Sequence, residues 1–549
     1  MAKKGICVCL CLLLMLCSFS GCFGKTKSGK SFSMPITDEP QSLDPQIASS
    51  NAQRLVASNC YEGLVRVGAN GEILNGVAES YTVSPDGLLY TFHLRENAHW
   101  ALYSAQKSVL GEKYGEDTFK ENFDKTVYAE DFVFALQRAV DPQTGSADAF
   151  LFSSIENAQS IMAGVSAKES LGVTATDKFT LQIRLSRADE NLLYALTAPG
   201  AMPCDREFFE LTAGRYGLEV GYTLCNGPLH PSKWIEKTSL KLIKNNDYNG
   251  AQASSPASLV LYYNEDADAI PEKVDSGKYD AAFLTKAQYD ALENQKDLTV
   301  QYLENTTYSF LFNPKNSMTA NENMRKALCL SADFTKLSLL GEGTQRASGL
   351  VPPYCTIGAQ PFRTEGETAS LLSYDTLQAS AYFSEALLEL GTSSAQVEVL
   401  CAAEYEEFVR AVVQAWQKAL GVKFVASVKA VSLSELLSAV TDGNYTVAFY
   451  PLTADTVLAS SYLERFGAGT SFGFASQDYT DLLLRVRESA GSFSSLHAAC
   501  VEAENYLLQH AAVLPVFTQS SCFVTSKDTK DIYFYASKDY VYFINATKK

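Results

Sequence analysis

Apolar and polar positions alternate most clearly between Tyr61 and Trp100. Tyr90, Phe92 and Leu94 alternate with Thr91, His93 and Arg95, which predicts a strand with one buried face. Val77 to Tyr81 is a second extended run. Two turns punctuate the stretch: Gly68–Glu72, where Asn70-Gly71 suits a positive φ, and Ser84-Pro85-Asp86-Gly87. The predicted unit is antiparallel, with short strands. Elsewhere the period is helical. Asn51 to Asn59 reads as a short helix. Phe132, Ala135 and Leu136 share one helical face, and Asp141-Pro142 closes that helix. Phe408, Val412, Trp416 and Leu420 form an amphipathic helix, followed by a strand from Gly421. Leu433–Val440 and Tyr445–Tyr450 repeat helix then strand. The alternation predicts layered α/β sheets.

At 549 residues the chain is long enough for two or three domains. It begins with Lys3 and Lys4, then an apolar run from Ile6 to Phe19, too short to span a bilayer comfortably. That order describes a secretory leader. Ser20-Gly21-Cys22 resembles a bacterial lipobox, with Cys22 as the lipidated mature N-terminus; an uncleaved anchor is the alternative. Either way the chain is expected outside the cytoplasm, tethered to the membrane. Gly24 to Ser33 has the Lys/Ser/Gly composition of a tether. The formal charge of −17 argues against nucleic acid as a partner. It would suit a cationic ligand, or serve only solubility. Of 13 cysteines, eight lie beyond the leader and Cys22. None forms a CxxC, and their spread fits no zinc cluster. Cys204 with Cys225 is the disulfide pair to test first; buried thiols are the other reading.

Two patterns imitate enzyme motifs. Gly24-Lys25-Thr26-Lys27-Ser28-Gly29-Lys30-Ser31 matches a P-loop, but a leader precedes it and Phe32-Ser33-Met34-Pro35 follows. A phosphate cradle needs a strand before and a helix after. Gly469-Thr470-Ser471-Phe472-Gly473 matches a nucleophile elbow but reads as a glycine loop. The five histidines show no metal-ligand spacing. The motifs therefore lead to no expected enzymatic activity, cofactor or metal.

Tyr61 to Trp100 also resembles the signature region of the family 5 extracellular solute-binding proteins, the peptide and nickel receptors of ABC importers. Glu62-Gly63-Leu64, Gly76-Val77-Ala78-Glu79-Ser80, Tyr90 to Arg95 and Ala98-His99-Trp100 carry the likeness. Glu39 to Pro45, Val127 to Arg138, Asn226-Gly227-Pro228-Leu229 and Leu240 to Tyr248 extend it, to about Val516. The insertion Ala101–Lys125 departs from the family and is expected to be a surface excursion. The resemblance implies a bilobal periplasmic-binding-protein-like α/β fold (type II, cluster C) with three domains and a ligand cleft. Lobe I would comprise 32–51, 186–303 and 515–549. An inserted domain would span 52–185, and lobe II 304–514. Two crossings, near Leu303–Thr307 and Leu514–Thr518, would form the hinge.

The implied function is capture of a peptide in the cleft and delivery to an ABC permease. A nickel chelate, haem, a sugar, or a role as sensor or adhesin remain alternatives. The protein would be a monomer. The resemblance also supplies site residues. Asp455 aligns with the acid that receives a peptide's α-ammonium, and Leu452 stands where Trp is expected. Glu39 matches a position beside the peptide backbone, and Asp148 one where a Tyr contacts peptide. Asp455 alternatively caps a helix over Thr456–Phe466.

Overall fold

The structure is a computed structural model. It describes residues 29–549 except 37, 69–71, 190, 251–255, 264, 335–343, 358–359, 365, 455–457, 471, 475, 490–492, 520 and 536–539. The expected leader, Cys22 and most of the tether lie outside the described residues. No helix among those described is long and apolar enough to cross a membrane.

Lobe I is built from both ends of the chain. The strand Ser31–Pro35 pairs in parallel with Ser258–Tyr262, which continues antiparallel to Ser239–Lys244 and Leu229–Ile235. A strand, not a helix, thus follows the P-loop-like run. A second sheet places Ser521–Ser526 between Ala281–Thr285 and Leu298–Leu303. One apolar cluster unites Phe32, Leu55, Leu259, Phe523 and Val541.

An inserted module sits on this lobe. Its sheet runs Ala78–Val83, Leu89–Leu94, Thr180–Arg184, Val173–Asp177, all antiparallel. Tyr90, Phe92 and Leu94 are buried, as their alternation requires, and pack with Trp100 and the helix Ala129–Val140. Each buried side chain of this size contributes roughly 1.5–3 kcal/mol. The turn at Ser84 closes through Gly87 N–H to Ser84 O at 2.9 Å, with Gly87 at φ +71°. The insertion after Trp100 is no mere surface excursion. It folds into a helix, Lys107–Tyr114, and a short turn, Phe119–Asn122. Leu102, Val109, Leu110, Phe119 and Phe123 sink into the module's core, spaced among charges that face water. The module's cluster runs from Leu64 to Leu224, while the helix Asn51–Cys60 packs into lobe I.

Lobe II has a six-stranded sheet in the order Thr344–Arg346, Val513–Gln519, Thr306–Phe312, Val447–Thr453, Ala395–Ala402, Phe424–Val431. Helix Glu406–Leu420 buries Phe408, Val412, Trp416 and Leu420 against one face and stops at Gly421, φ +75°. Helices Gln477–Glu488 and Phe493–Gln509 cover another core. Gly469 to Gly473 lies between helices, not at a strand-to-helix elbow; Ser471 is outside the described residues.

Two passes join the lobes. Leu303 ends a lobe I strand and Thr306 begins a lobe II strand, so Glu304-Asn305 is one crossing. Gln519 ends a lobe II strand and Ser521 begins a lobe I strand, so the chain returns between these two strands. That is slightly beyond the expected Leu514–Thr518. Leu303 pairs with Ser521 on one side, and Thr307 with Thr518 on the other, so the passes run together.

Candidate functional site in the interlobe cleft

Both hinge residues are held by lobe II backbone. Tyr354 N–H donates to Glu304 O at 3.3 Å, and Ala454 N–H to Asn305 O at 2.9 Å. The Tyr354 side chain packs against the lobe I cluster, as do Ile36 and Trp234. Tyr354 of lobe II thus lies against the lobe I core right beside the hinge.

Glu39 lies on the lobe I side and spends its carboxylate there. Oε1 accepts from Trp234 Nε1 at 3.0 Å, and Oε2 from Lys237 N at 2.9 Å. Lys237 holds a left-handed φ of 58° at the hairpin turn, so Glu39 clamps a strained turn. Tyr263 donates to Ile235 O in the same corner; burial, then Glu39, pushes its phenol up to about 12.

Asp148 is buried at the base of the inserted module. It accepts from Arg54 Nη2 at 2.5 Å and from Gly200 N at 3.0 Å. It ties the helix Asn51–Cys60 to the turn Pro199–Ala201, and both oxygens are already engaged.

On the lobe II side, Leu452 is fully buried in a core with Leu311, Leu350 and Tyr462. Thr453 and Thr306 hydroxyls meet at 2.9 Å, and Arg465 Nη1 donates to Thr453 O at 2.5 Å. The Arg465 guanidinium also lies 5.0 Å from the Phe472 ring. Asp455 follows Ala454 but lies outside the described residues. The next helix is Ala459–Glu464 with Leu458 at the N-cap position. The expected start of that helix at Thr456, with Asp455 as its cap, lies outside the described residues.

Sequence reasoning missed a charge group shared by the lobes. Half-buried Arg187 follows the inserted module's last strand. Burial, then Arg487, holds its guanidinium below the usual range, while Glu464 acts in the opposite direction. Glu464 Oε1 receives Arg487 Nε at 2.8 Å. Residues so distant in sequence carry no common motif. A separate cavity of about 230 Å³, lined by Cys329, Phe334, Arg346, Leu372, Leu508 and Pro515, lies wholly within lobe II, so lobe closure does not form it.

Comparison with known proteins gives a consistent picture. Residues 72–474 match the profile of the bacterial extracellular solute-binding proteins, family 5. The chain is similar to the dipeptide-binding protein DppE of Bacillus subtilis, 26% identical over 525 residues, covering 92% of this chain and 90% of the relative. An oligopeptide ABC transporter substrate-binding domain from Bacillus anthracis superposes with a TM-score of 0.77 at 24% identity, covering 95% of this chain and 99% of the other. Peptide-bound OppA of Listeria monocytogenes gives 0.77 at 22% identity, covering 95% and 100%.

Proposed function

The chain belongs to the bacterial extracellular solute-binding proteins of family 5, and from that premise we propose that it captures a peptide between its lobes and delivers it to the permease of an ABC importer. The observation that supports this most is the likeness to a dipeptide-binding protein over 92% of the chain. The two-pass hinge supports the mechanism. A ligand favours closure only by its differential affinity, so it must touch both lobes.

Three carboxylates were expected near the ligand. Glu39 and Asp148 already serve lobe I and its module, so we assign them to support of the cleft. Asp455 is left to receive the α-ammonium. It follows Ala454, whose N–H is bonded to the hinge. A buried ammonium without a charged acceptor is strongly disfavoured. The peptide leaves unchanged, and no catalytic step is involved. The protein works as a monomer outside the cytoplasm, held to the membrane by a lipid on Cys22. We divide it into lobe I, an inserted module and lobe II from 304. A non-peptide solute is the second reading, favoured by Leu452 in place of the expected aromatic residue.

Calorimetry with short peptides tests the proposal, joined to small-angle scattering. A binding heat with compaction on saturation is expected. Neither heat nor compaction with any peptide would overturn peptide capture and favour the non-peptide solute.

A further inference from the structure

Cys204 and Cys225, the pair the sequence puts first for a disulfide, belong to different clusters. Cys204 lies in the inserted module, 3.4 Å from Arg138 Nη1. Cys225 lies in the lobe I cluster together with Cys60. These two mark the ends of the inserted module. Cys60 is the last residue of the helix Asn51–Cys60, and Cys225 immediately precedes the return into lobe I. The module's apolar cluster, which runs from Leu64 to Leu224, hangs between them.

The two ends of this neck are bonded to each other. Gly227 N–H donates to Cys60 O at 2.8 Å. Glu62 N–H donates to Asn226 Oδ1 at 3.0 Å, and Asn226 Nδ2 returns a bond to Glu62 O at 2.8 Å. The approach is so close that a Cβ at Gly227 would stand 2.5 Å from the carbonyl carbon of Cys60. Both cysteines are buried and free. The thiols are also neighbours: burial pushes Cys60 up, and contact with Cys225 pushes it further.

We propose that Cys60 and Cys225 are a disulfide-forming pair that closes the neck of the inserted module. The inference rests on the reading that the chain works outside the cytoplasm, where such bonds persist. The oxidant is a disulfide, carried by an extracytoplasmic thiol-oxidising protein or a small thiol. One cysteine loses its proton and attacks a sulfur of that disulfide, releasing one thiolate. The second cysteine then loses its proton and attacks the mixed disulfide, releasing the other. One S–S bond forms in the chain, and the oxidant is reduced to two thiols. Buried thiols hold their protons, so exchange is slow once the neck has closed. The bond is therefore made as the chain folds. It would make the module one closed loop and restrict the unfolded chain.

The test refolds the full chain in a glutathione redox buffer, quenches with acid and alkylates under denaturing, non-reducing conditions. Proteolytic peptides are then mapped by mass. The expected result is a linked peptide joining Cys60 to Cys225, with alkylation at both at least tenfold below a reduced control. Full alkylation of both, or Cys225 linked to Cys204, overturns the proposal. Peptide binding, measured on the same sample, separates the two readings. A bridge without binding defeats peptide capture alone, and binding without a bridge defeats the disulfide alone.

Discussion

The indole N–H of Trp234 donates to Glu39 Oε1 at 3.0 Å, fixing an acid from the chain's beginning onto a hairpin in its middle. The carboxylate's other oxygen holds Lys237 N. Glu39→Ala leaves both donors without this acceptor. The expected cost is about 1–3 kcal/mol of stability, as for removal of a shared hydrogen-bond acceptor. Glu39→Gln keeps one carbonyl oxygen and should lose less. Thermal unfolding of both variants checks the order. If Glu39→Ala instead abolishes ligand binding with stability intact, Glu39 is a contact residue and our assignment is wrong.

Glu504 makes a second such brace. It is fully buried, and its Oε1 accepts from Leu350 N at 2.8 Å, Val351 N at 2.9 Å and Arg363 Nη2 at 2.6 Å. This anchors the segment that carries Tyr354 to the hinge. Glu504→Ala would strand a buried guanidinium, with an expected loss of about 3–5 kcal/mol. Urea unfolding measures it. A loss below about 1 kcal/mol would mean that water replaces the carboxylate.

Much of the local structure was readable from the sequence. The alternation at Tyr90, Phe92 and Leu94 and the helical spacing from Phe408 to Leu420 describe faces that burial then selects. The crossings were legible only through family resemblance. The charged pairs were not legible. Arg54 with Asp148, and Arg363 with Glu504, are chosen by tertiary approach, and no local period announces them. The insertion misled for a related reason. Its buried apolar residues are diluted by charge, so composition spoke for solvent while the helix has two faces.

Asp205 gives a pH signature to the inserted module. It caps the helix Arg206–Leu211 through Phe208 N–H at 2.6 Å. Burial nonetheless raises its carboxyl to about 6, against that bond, with Glu207 and Asp124 adding to the rise. The folded state thus holds a proton that the unfolded chain releases near pH 4. This group's contribution to stability falls as pH rises from about 4 to 6, and the penalty is complete above that. Asp205→Asn keeps a favoured cap and removes the titration. The variant's gain over wild type should grow across that window and then level off. Unfolding midpoints measured from pH 4 to 8 check this; a constant difference excludes titration of Asp205.

Glu464 pairs with Arg487, and its charge favours the Arg187 guanidinium of the inserted module while Arg487 opposes it. Glu464→Gln leaves the repulsion between Arg187 and Arg487 without its compensating charge. Closure should become less favourable, and affinity for any ligand that both lobes enclose should fall about 3–10-fold, the scale of a modest coupling between sites. Arg187→Gln in the same background should restore it. Salt should shrink the effect, since exposed charges are screened within about 10 Å at 0.1 M. Calorimetry at low and high salt reads all three. An effect that salt does not change would place the cause in packing.

Asp455 carries the ligand assignment, and two outcomes of one substitution separate its roles. If it receives the ammonium of a bound peptide, Asp455→Asn removes one partner of a desolvated charge pair. The expected loss of affinity is about 2–5 kcal/mol. Stability without ligand should hold, because the nearby helix begins at Ala459 with Leu458 at its cap position. A cap residue would behave in the opposite way, with about 1 kcal/mol of stability lost and affinity intact. Leu452 sharpens the test. Its side chain is spent in the lobe II core, so it offers the ligand no aromatic surface, and the charge must hold the peptide's first residue. N-acetylation removes that charge from the ligand. Acetylated and free peptides should therefore bind the Asn variant almost equally, while wild type should prefer the free peptide at least tenfold. If wild type binds both forms alike, Asp455 is not the ammonium's acceptor, whatever the substitution does to stability.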